Sequence, residues 1–355
     1  MKTGNNFKHM TSYFIRRFLL IIPTFLGITL ITFFILQIVP GGPLERELLK
    51  LRMGGQTQGG EVGTSGQNVT GGIEIPESAL QEMKKFYGFD LPIHERYFRW
   101  LGNMLTLDLG NSYVYAEPVW DVIISRFPIS IYFGLIGFIL TYLICIPLGV
   151  FKAVKNGSKF DLVSSILVFM GYSIPGWAFG TIMLVIFGGG SLWDVFPLGG
   201  FRSEDFENLT FWSQITDQFY HTVLPVASYL VGSFATLTIL TKNSVIENLS
   251  QDYIRTAFAK GLSEKRVIFK HALRNSLIPL ATGLGHFLSL ILAGSFLIET
   301  VFNINGMGLL GFRSIEQRDY PVTMGILVLS SFLLLIGNII SDMLYAIFDP
   351  RIRFK

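Results

Sequence analysis

The chain has 355 residues, half of them hydrophobic and only 15% charged, with 32 phenylalanines and a net charge of +3. A soluble domain carries roughly a quarter charged residues, so a soluble globular fold is excluded, as is nucleic-acid binding through a basic stripe. The single cysteine, Cys145, sits in an apolar run, which excludes an intrachain disulfide and predicts a thiol packed in the membrane.

The first predicted element spans Tyr13–Val39, with Lys8, Arg16 and Arg17 ahead of its apolar stretch Phe18–Val39. Its apolar core is longer than that of a signal peptide, and no small-x-small cleavage site precedes Pro40. It reads as a retained signal-anchor helix.

A long connection, 40–127, follows. Residues 54–72 are rich in Gly, Gln, Thr and Ser; such a tract buries no core and is expected to be flexible and dispensable for folding. The Asn68-Val69-Thr70 sequon within it carries no weight in a bacterial-looking chain. Pro76-Glu77-Ser78 reads as a helix start, with Leu80, Met83, Lys84 and Tyr87 at helical spacing and Gly88 as its end. Pro92 to Leu105 reads as a second, amphipathic helix with Ile93, Tyr97, Trp100, Leu101 and Met104 on one face. That face either lies on the bilayer interface or packs against the bundle, and the spacing does not choose between them.

Five further segments reach the 18 or more apolar residues needed to cross a bilayer: Pro128–Phe151, Leu162–Phe187, Thr222–Val245, Leu277–Phe302 and Val322–Phe348. The fourth and fifth of the six are less clear-cut, since each contains Gly, Ser, Thr and an ionisable group in or near it. Pro147 and Pro175 are expected to kink their helices. Basic residues cluster in the N-terminal segment, at Lys152, Lys155 and Lys159, from Arg255 to Arg274, and at Arg351, Arg353 and Lys355. The positive-inside rule therefore places these connections and both termini in the cytoplasm. Loop 188–221, with Arg202 against five acidic residues, and loop 303–321 fall outside.

The stretch 248–275 carries the chemistry. Ile254, Ala257, Phe258, Gly261 and Leu262 fall at i, i+3, i+4, i+7 and i+8, one apolar stripe on a short helix, with Arg255 and Lys260 off it. Gly261 predicts a corner. Ser263 is placed to cap a second helix with Glu264 in its first turn, and Lys265, Arg266, Lys270 and Arg274 make that helix basic. An apolar stripe with no membrane to bury it predicts a protein partner; the alternative is a loop whose basic residues touch anionic lipid.

This stretch resembles the coupling loop of ABC-importer permeases, whose signature is Glu-Ala-Ala, three residues, then Gly. Here the positions read Arg255-Thr256-Ala257 with Gly261 in register, and the replacement by Arg-Thr is typical of the oligopeptide/dipeptide branch. The continuation His271-Ala272-Leu273-Arg274-Asn275 and Ile278-Pro279 is similar too. The resemblance extends over essentially the whole chain. It includes Ile15-Arg16-Arg17, Pro40-Gly41-Gly42-Pro43, Tyr87-Gly88-Phe89-Asp90 with Pro92, and Gly171-Tyr172-Ser173-Ile174-Pro175. Towards the C-terminus it includes Glu299-Thr300-Val301-Phe302 before Gly306-Met307-Gly308, then Asp342, Tyr345 and Asp349-Pro350-Arg351. The Pro-Gly-Gly-Pro corner, the Gly-rich insert and Asn305 point to the microcin C-type oligopeptide permease B subunit.

The resemblance implies an all-α integral membrane protein of the bacterial inner membrane with the type I ABC importer permease fold. It would have about six transmembrane helices and cytoplasmic termini. Its parts would be 1–39, the N-terminus and first span; 40–127, the extracytoplasmic loop; 128–349, a core of five spans with coupling loop 248–275; and 350–355, the C-terminus. It further implies a second related permease, one or two ABC ATPase subunits and an extracytoplasmic peptide-binding protein as partners. The coupling set would be Arg255, Thr256, Ala257, Phe258, Lys260, Gly261, Leu262, His271 and Arg274. No G-x-x-x-x-G-K-[ST] phosphate loop occurs in the chain, so no catalytic residue, metal or cofactor is expected on it; ATP and Mg would sit on the partner ATPases.

Other ionisable or glycine positions are candidates for a gate or for helix packing: Glu299 with Gly306 and Gly308, His286 in the fifth span, and Asp342 in the sixth. An ionisable group in a span is a functional candidate, but a lone His among Gly and Ser more often hydrogen-bonds a neighbouring helix. No acidic or His chain links these positions, which argues against a proton-coupled secondary transporter. A non-transporting scaffold would leave the 254–262 stripe unexplained.

Overall fold

The computed structural model describes residues 3–38, 78, 81–82, 85, 90–190, 192–280 and 295–348. Outside them lie the Gly-rich tract 54–72, the Pro-Gly-Gly-Pro corner, most of the helix expected after Pro76, His286, the middle of the fifth predicted span and the C-terminal Asp-Pro-Arg. The named elements of the described residues are helical: α1 (Thr3–Ile38), α2 (Ile93–Leu105), α3 (Val119–Val154), α4 (Lys159–Ser173) and α5 (Gly176–Phe187). There follow α6 (Phe211–Leu249), α7 (Asp252–Ala259), a helical run from Glu264 to Ser276, α8 (Phe296–Val301), α9 (Met307–Glu316) and α10 (Tyr320–Phe348).

Four of these hold stretches long and apolar enough to cross a bilayer: Ile15–Gln37, α3, α6 and Tyr320–Met343. The pair α4 and α5 forms a fifth if counted as one broken span. The kink expected at Pro175 is a 94° bend. Proline disfavours helical geometry in the residue before it, and Ile174 is accordingly extended at φ −99°, ψ 120°. Pro175 then serves as N-cap of α5, where its missing N–H costs nothing. Pro147, by contrast, lies inside the continuous α3. With 39 residues, α6 is about 58 Å long at 1.5 Å per residue, roughly twice the hydrocarbon core. The sequence pattern marked only its apolar middle, from Thr222.

The chain sorts into two compact units. The first comprises 1–23, 124–312 and 329–355. Its core gathers Phe133 of α3, Leu224 and Val226 of α6, Ile298 of α8, and Phe302 and Ile304 beyond it. Helices approach closely where side chains are smallest. A Cβ on Gly149 would lie 2.5 Å from Cβ of Thr241, and one on Gly176 would lie 2.4 Å from the Ser228 carbonyl oxygen. Such small-residue contacts replace the hydrophobic drive that lipid removes.

The second unit comprises 24–123 and 313–328. In it α2 packs on its own chain: Tyr97, Trp100 and Leu101 cluster with Phe33, Leu36 and Met324, and the Tyr97 hydroxyl lies 3.2 Å from that of Thr29. That settles the choice left open by the spacing, although Ile93, expected on the same face, is exposed. The buried Asp319 carboxylate holds the following loop by accepting from the Ser112 hydroxyl and from the N–H groups of Tyr113 and Val114, at 3.1 and 3.2 Å.

Candidate functional site

The helical hairpin after α6 is built around Gly261. Its φ of 77° is a left-handed angle open to glycine. The Leu262 N–H donates to the Ala257 carbonyl at 3.4 Å and the Gly261 N–H to the Phe258 carbonyl at 2.9 Å, the paired bonds of a Schellman motif closing α7. Ser263 occupies the N-cap position of the next helix, but its side chain makes no capping bond; its carbonyl instead accepts from the Val267 N–H at 3.0 Å. From Val267 to Ala272 this run is a π-helix.

The apolar stripe of α7 divides. Ile254 is 2% exposed and Ala257 7%, both packed on Val267 and Ala272 of the basic run, with Leu249 and Leu262 alongside. This corrects the inference that the stripe needs a foreign partner: the chain folds back and covers half of it. Phe258 is 46% exposed and Tyr253 38%. Arg255, Thr256, Lys260 and Gly261 are exposed as well. The exposed part of the hairpin therefore includes Tyr253 and Phe258, with Arg255 and Lys260 exposed on the same helix. Arg255 meets Asp252 at 3.6 Å with both side chains in solvent, a pair of little energetic weight. On the basic run Lys265, Arg266, Lys270 and Arg274 are exposed and His271 is half-buried.

The hairpin is fastened to the long helices behind it. Ser244 of α6 donates to the Ser276 carbonyl at 3.1 Å and Ser276 donates back to the Ser244 carbonyl at 3.2 Å. Val150 and Ala153 of α3, Val245 of α6 and Ile268 of the basic run share one apolar cluster.

Next to that cluster lies an ionic group that sequence reading missed. Lys152 is 1% exposed. Its ammonium donates to the Asp161 carbonyl at 2.9 Å and to the hydroxyls of Ser164 and Ser165 at 2.8 and 2.7 Å, and it lies 3.1 Å from the Asp161 carboxylate. Lys242 of α6 donates to both oxygens of the same carboxylate at 2.8 and 2.7 Å. The Gly157 N–H adds a further bond at 3.1 Å. In the sequence Lys152 bears only on membrane orientation, and the pairing of Lys242 with Asp161, across 81 positions, leaves no periodic trace.

Glu299, Gly306 and Gly308 come together. The Glu299 side chain is buried and accepts from the N–H groups of Gly308 and Leu309 at 3.3 and 2.6 Å, a carboxylate at the start of α9, where the helix dipole favours it. The Ser130 hydroxyl of α3 accepts from the Met307 N–H at 2.8 Å. A Cβ on Gly306 would come within 2.8 Å of the Glu299 carboxylate, and one on Gly308 within 2.8 Å of the Phe296 nitrogen, so both positions exclude larger residues. Asp342 is not part of this corner; it pairs with Arg17 of α1. Among the described residues no three His, Cys, Asp or Glu side chains gather as a metal site would require.

Comparison with known proteins agrees with this architecture. A family model for the binding-protein-dependent transport system inner membrane component matches residues 145–354, a stretch that contains the hairpin, the ionic group and the Glu299 corner. The inner membrane ABC transporter permease protein YejB of Escherichia coli O157:H7 is 41% identical over 98% of this chain and 100% of its own. The peptidoglycan transport system permease protein YejB of Agrobacterium fabrum is 38% identical over 98% and 99%. The oligopeptide transport system permease protein AppB of Bacillus subtilis is 37% identical over 97% and 100%.

Proposed function

Because this chain belongs to the family of binding-protein-dependent transport system inner membrane components, a membrane permease subunit of an ABC importer, we propose that it moves oligopeptides or peptide-like compounds inward. In this reading it forms the path jointly with a second, related permease. An extracytoplasmic binding protein delivers cargo, and ATPase subunits close and open to rock the permease pair between outward- and inward-facing states. The chain itself does no chemistry on ATP.

The observation that carries the mechanism is the hairpin closed by Gly261. It offers Tyr253 and Phe258 to a partner while its inner face is already filled by its own chain. Exposed aromatics on a helix that also presents Arg255 and Lys260 fit a groove with an apolar floor and acidic groups at its rim on an ATPase subunit. Phe258→Glu tests this. The variant should reach the membrane at normal level, lose capture of the ATPase in a pull-down, and lose at least tenfold in peptide uptake in reconstituted liposomes. Full capture and unmodified uptake would remove the hairpin from the coupling role.

The narrower placement with microcin C-type permeases is also proposed, supported by the Pro-Gly-Gly-Pro corner, the Gly-rich insert and Asn305. Mass spectrometry of the ligand that co-purifies with the cognate binding protein decides whether the cargo is such a peptide, a peptidoglycan fragment or a general oligopeptide.

A further inference from the structure

A cavity of about 660 Å³ opens within the second unit, on the side where α1 ends and α10 begins. That volume is in the range of a small-ligand site. One face of α2 lines it with Arg96, Arg99, Trp100 and Asn103, at i, i+3, i+4 and i+7. The loop from Asp108 to Ala116 lines it too and is fixed in place. The Asp319 carboxylate accepts from the Ser112 hydroxyl and, at 3.1 Å, from the Tyr113 N–H. The Asp108 carboxylate accepts from the Gly110 N–H at 2.9 Å.

The membrane spans set the depth of this cavity and give it two unlike ends. The apolar stretch of α1 finishes at Gln37 and that of α10 starts at Tyr320, and both residues line the cavity. They mark the level where the two helices leave the hydrocarbon. Phe33 and Met324, also in the lining, are buried and stand four residues further in, one helical turn or about 6 Å deeper. Half-buried Arg96 and exposed Arg99 belong to α2, outside both spans. Trp100, Tyr113 and Tyr320 are of the types that gather at the membrane–water interface. Cations at the headgroup level above an apolar end match an amphiphile already seated in the bilayer. We propose that the cavity binds the headgroup of an aminophospholipid, with Arg96 and Arg99 on the phosphate oxygens and the start of the acyl chains against Phe33 and Met324. The planar fork of arginine suits phosphate. Its five N–H donors let Arg96 keep its contacts within the chain while it donates to the lipid. Asp108, the acid of the lining, is the counterpart for the headgroup ammonium. Such a lipid touches α1, α2, the 108–116 loop and α10 together and fastens them at the membrane surface.

The assembled transporter in nanodiscs tests this, with phosphatidylethanolamine that carries a photoactivatable group near its glycerol. After irradiation, mass spectrometry of the digested chain locates the adducts. They are expected on α2 and on residues 33–37 of α1. Adducts at exposed Leu167 of α4 supply the reference for bulk lipid. Arg96→Gln combined with Arg99→Gln should lower the α2-to-α4 ratio about tenfold, as the loss of charge-assisted bonds to phosphate implies. Asn103→Asp adds a second acid to the lining at an exposed position and should lower the ratio severalfold. A phosphatidylglycerol probe, which has no ammonium, should label α2 less than phosphatidylethanolamine does. Excess inorganic phosphate should leave the adducts unchanged.

Equal ratios in the parent, the arginine pair variant and Asn103→Asp overturn the proposal. Should the pair variant not reach the membrane, Asn103→Asp decides alone. Loss of the α2 adducts to inorganic phosphate would make this a site for a free anion and overturn the lipid assignment. Equal labelling by phosphatidylglycerol would overturn the part given to Asp108. If Asn103→Asp abolishes capture of the binding protein and leaves the adducts as they are, the cavity belongs to that protein and the lipid assignment falls.

Discussion

At the scale of single residues, Gly261 is the clearest case of sequence dictating geometry. Nothing lies within 4 Å of the position a Cβ would take, so space is not what demands glycine; the φ of 77° is. A β-branched residue there costs about 1–2 kcal/mol, whereas asparagine tolerates the angle better. Gly261→Val should therefore loosen the corner and reduce ATPase capture severalfold, while Gly261→Asn should keep most of it, as a pull-down on matched amounts of permease will show. Equal capture by both would mean that the corner's angle is not used. Glycine was legible here because its conformational licence is local. The fate of Ala257 was not. Its burial depends on Val267 and Ala272 of the returning helical run, and no spacing rule in the α7 sequence announces that.

At the scale of elements, the α8–α9 corner shows how one acid organises a turn. The first N–H groups of a helix have no partner within it, and Glu299 supplies acceptors to two of those of α9. Glu299→Ala leaves both buried without a partner and should destabilise the fold by about 1–3 kcal/mol. Glu299→Gln, which keeps one acceptor, should cost less. Thermal unfolding of the detergent-solubilised permease ranks the two, and an equal midpoint for Glu299→Ala and the parent would show the corner to be held by other contacts. The sequence located this acid correctly beside Gly306 and Gly308, because all three fall within ten positions. Contacts between distant segments left no such mark, as with Asp161 and Lys242 or with Asp319 and the 112–114 loop.

At the scale of the whole molecule, the apolar runs made the spans legible, while their true lengths were not. Helices α3 and α6 begin well before the hydrophobic stretches that advertise them, because hydrophobicity reports the bilayer and hydrogen bonding carries the helix onward. For sidedness, the basic residues alone supply the expectation. Cysteines placed at 205 and 265 in a Cys145→Ser background should label from opposite sides of intact cells: 205 with an impermeant maleimide from outside, 265 only after permeabilisation. Labelling of 265 in intact cells would invert the arrangement.

The elbow between α4 and α5 bears on hydration. The Ile174 N–H turns to the Gly171 carbonyl at 3.2 Å instead of continuing the helical ladder to Met170, and Pro175 has no N–H to offer. Main-chain oxygens released in this way are intolerable against acyl chains and persist at membrane depth only where protein or water meets them. By sequence the elbow falls at the middle of its span. The carbonyls of the elbow are therefore expected to meet packed protein or water, not acyl chains. Hydration of this kind depends on the main chain alone and is indifferent to the side chains around it.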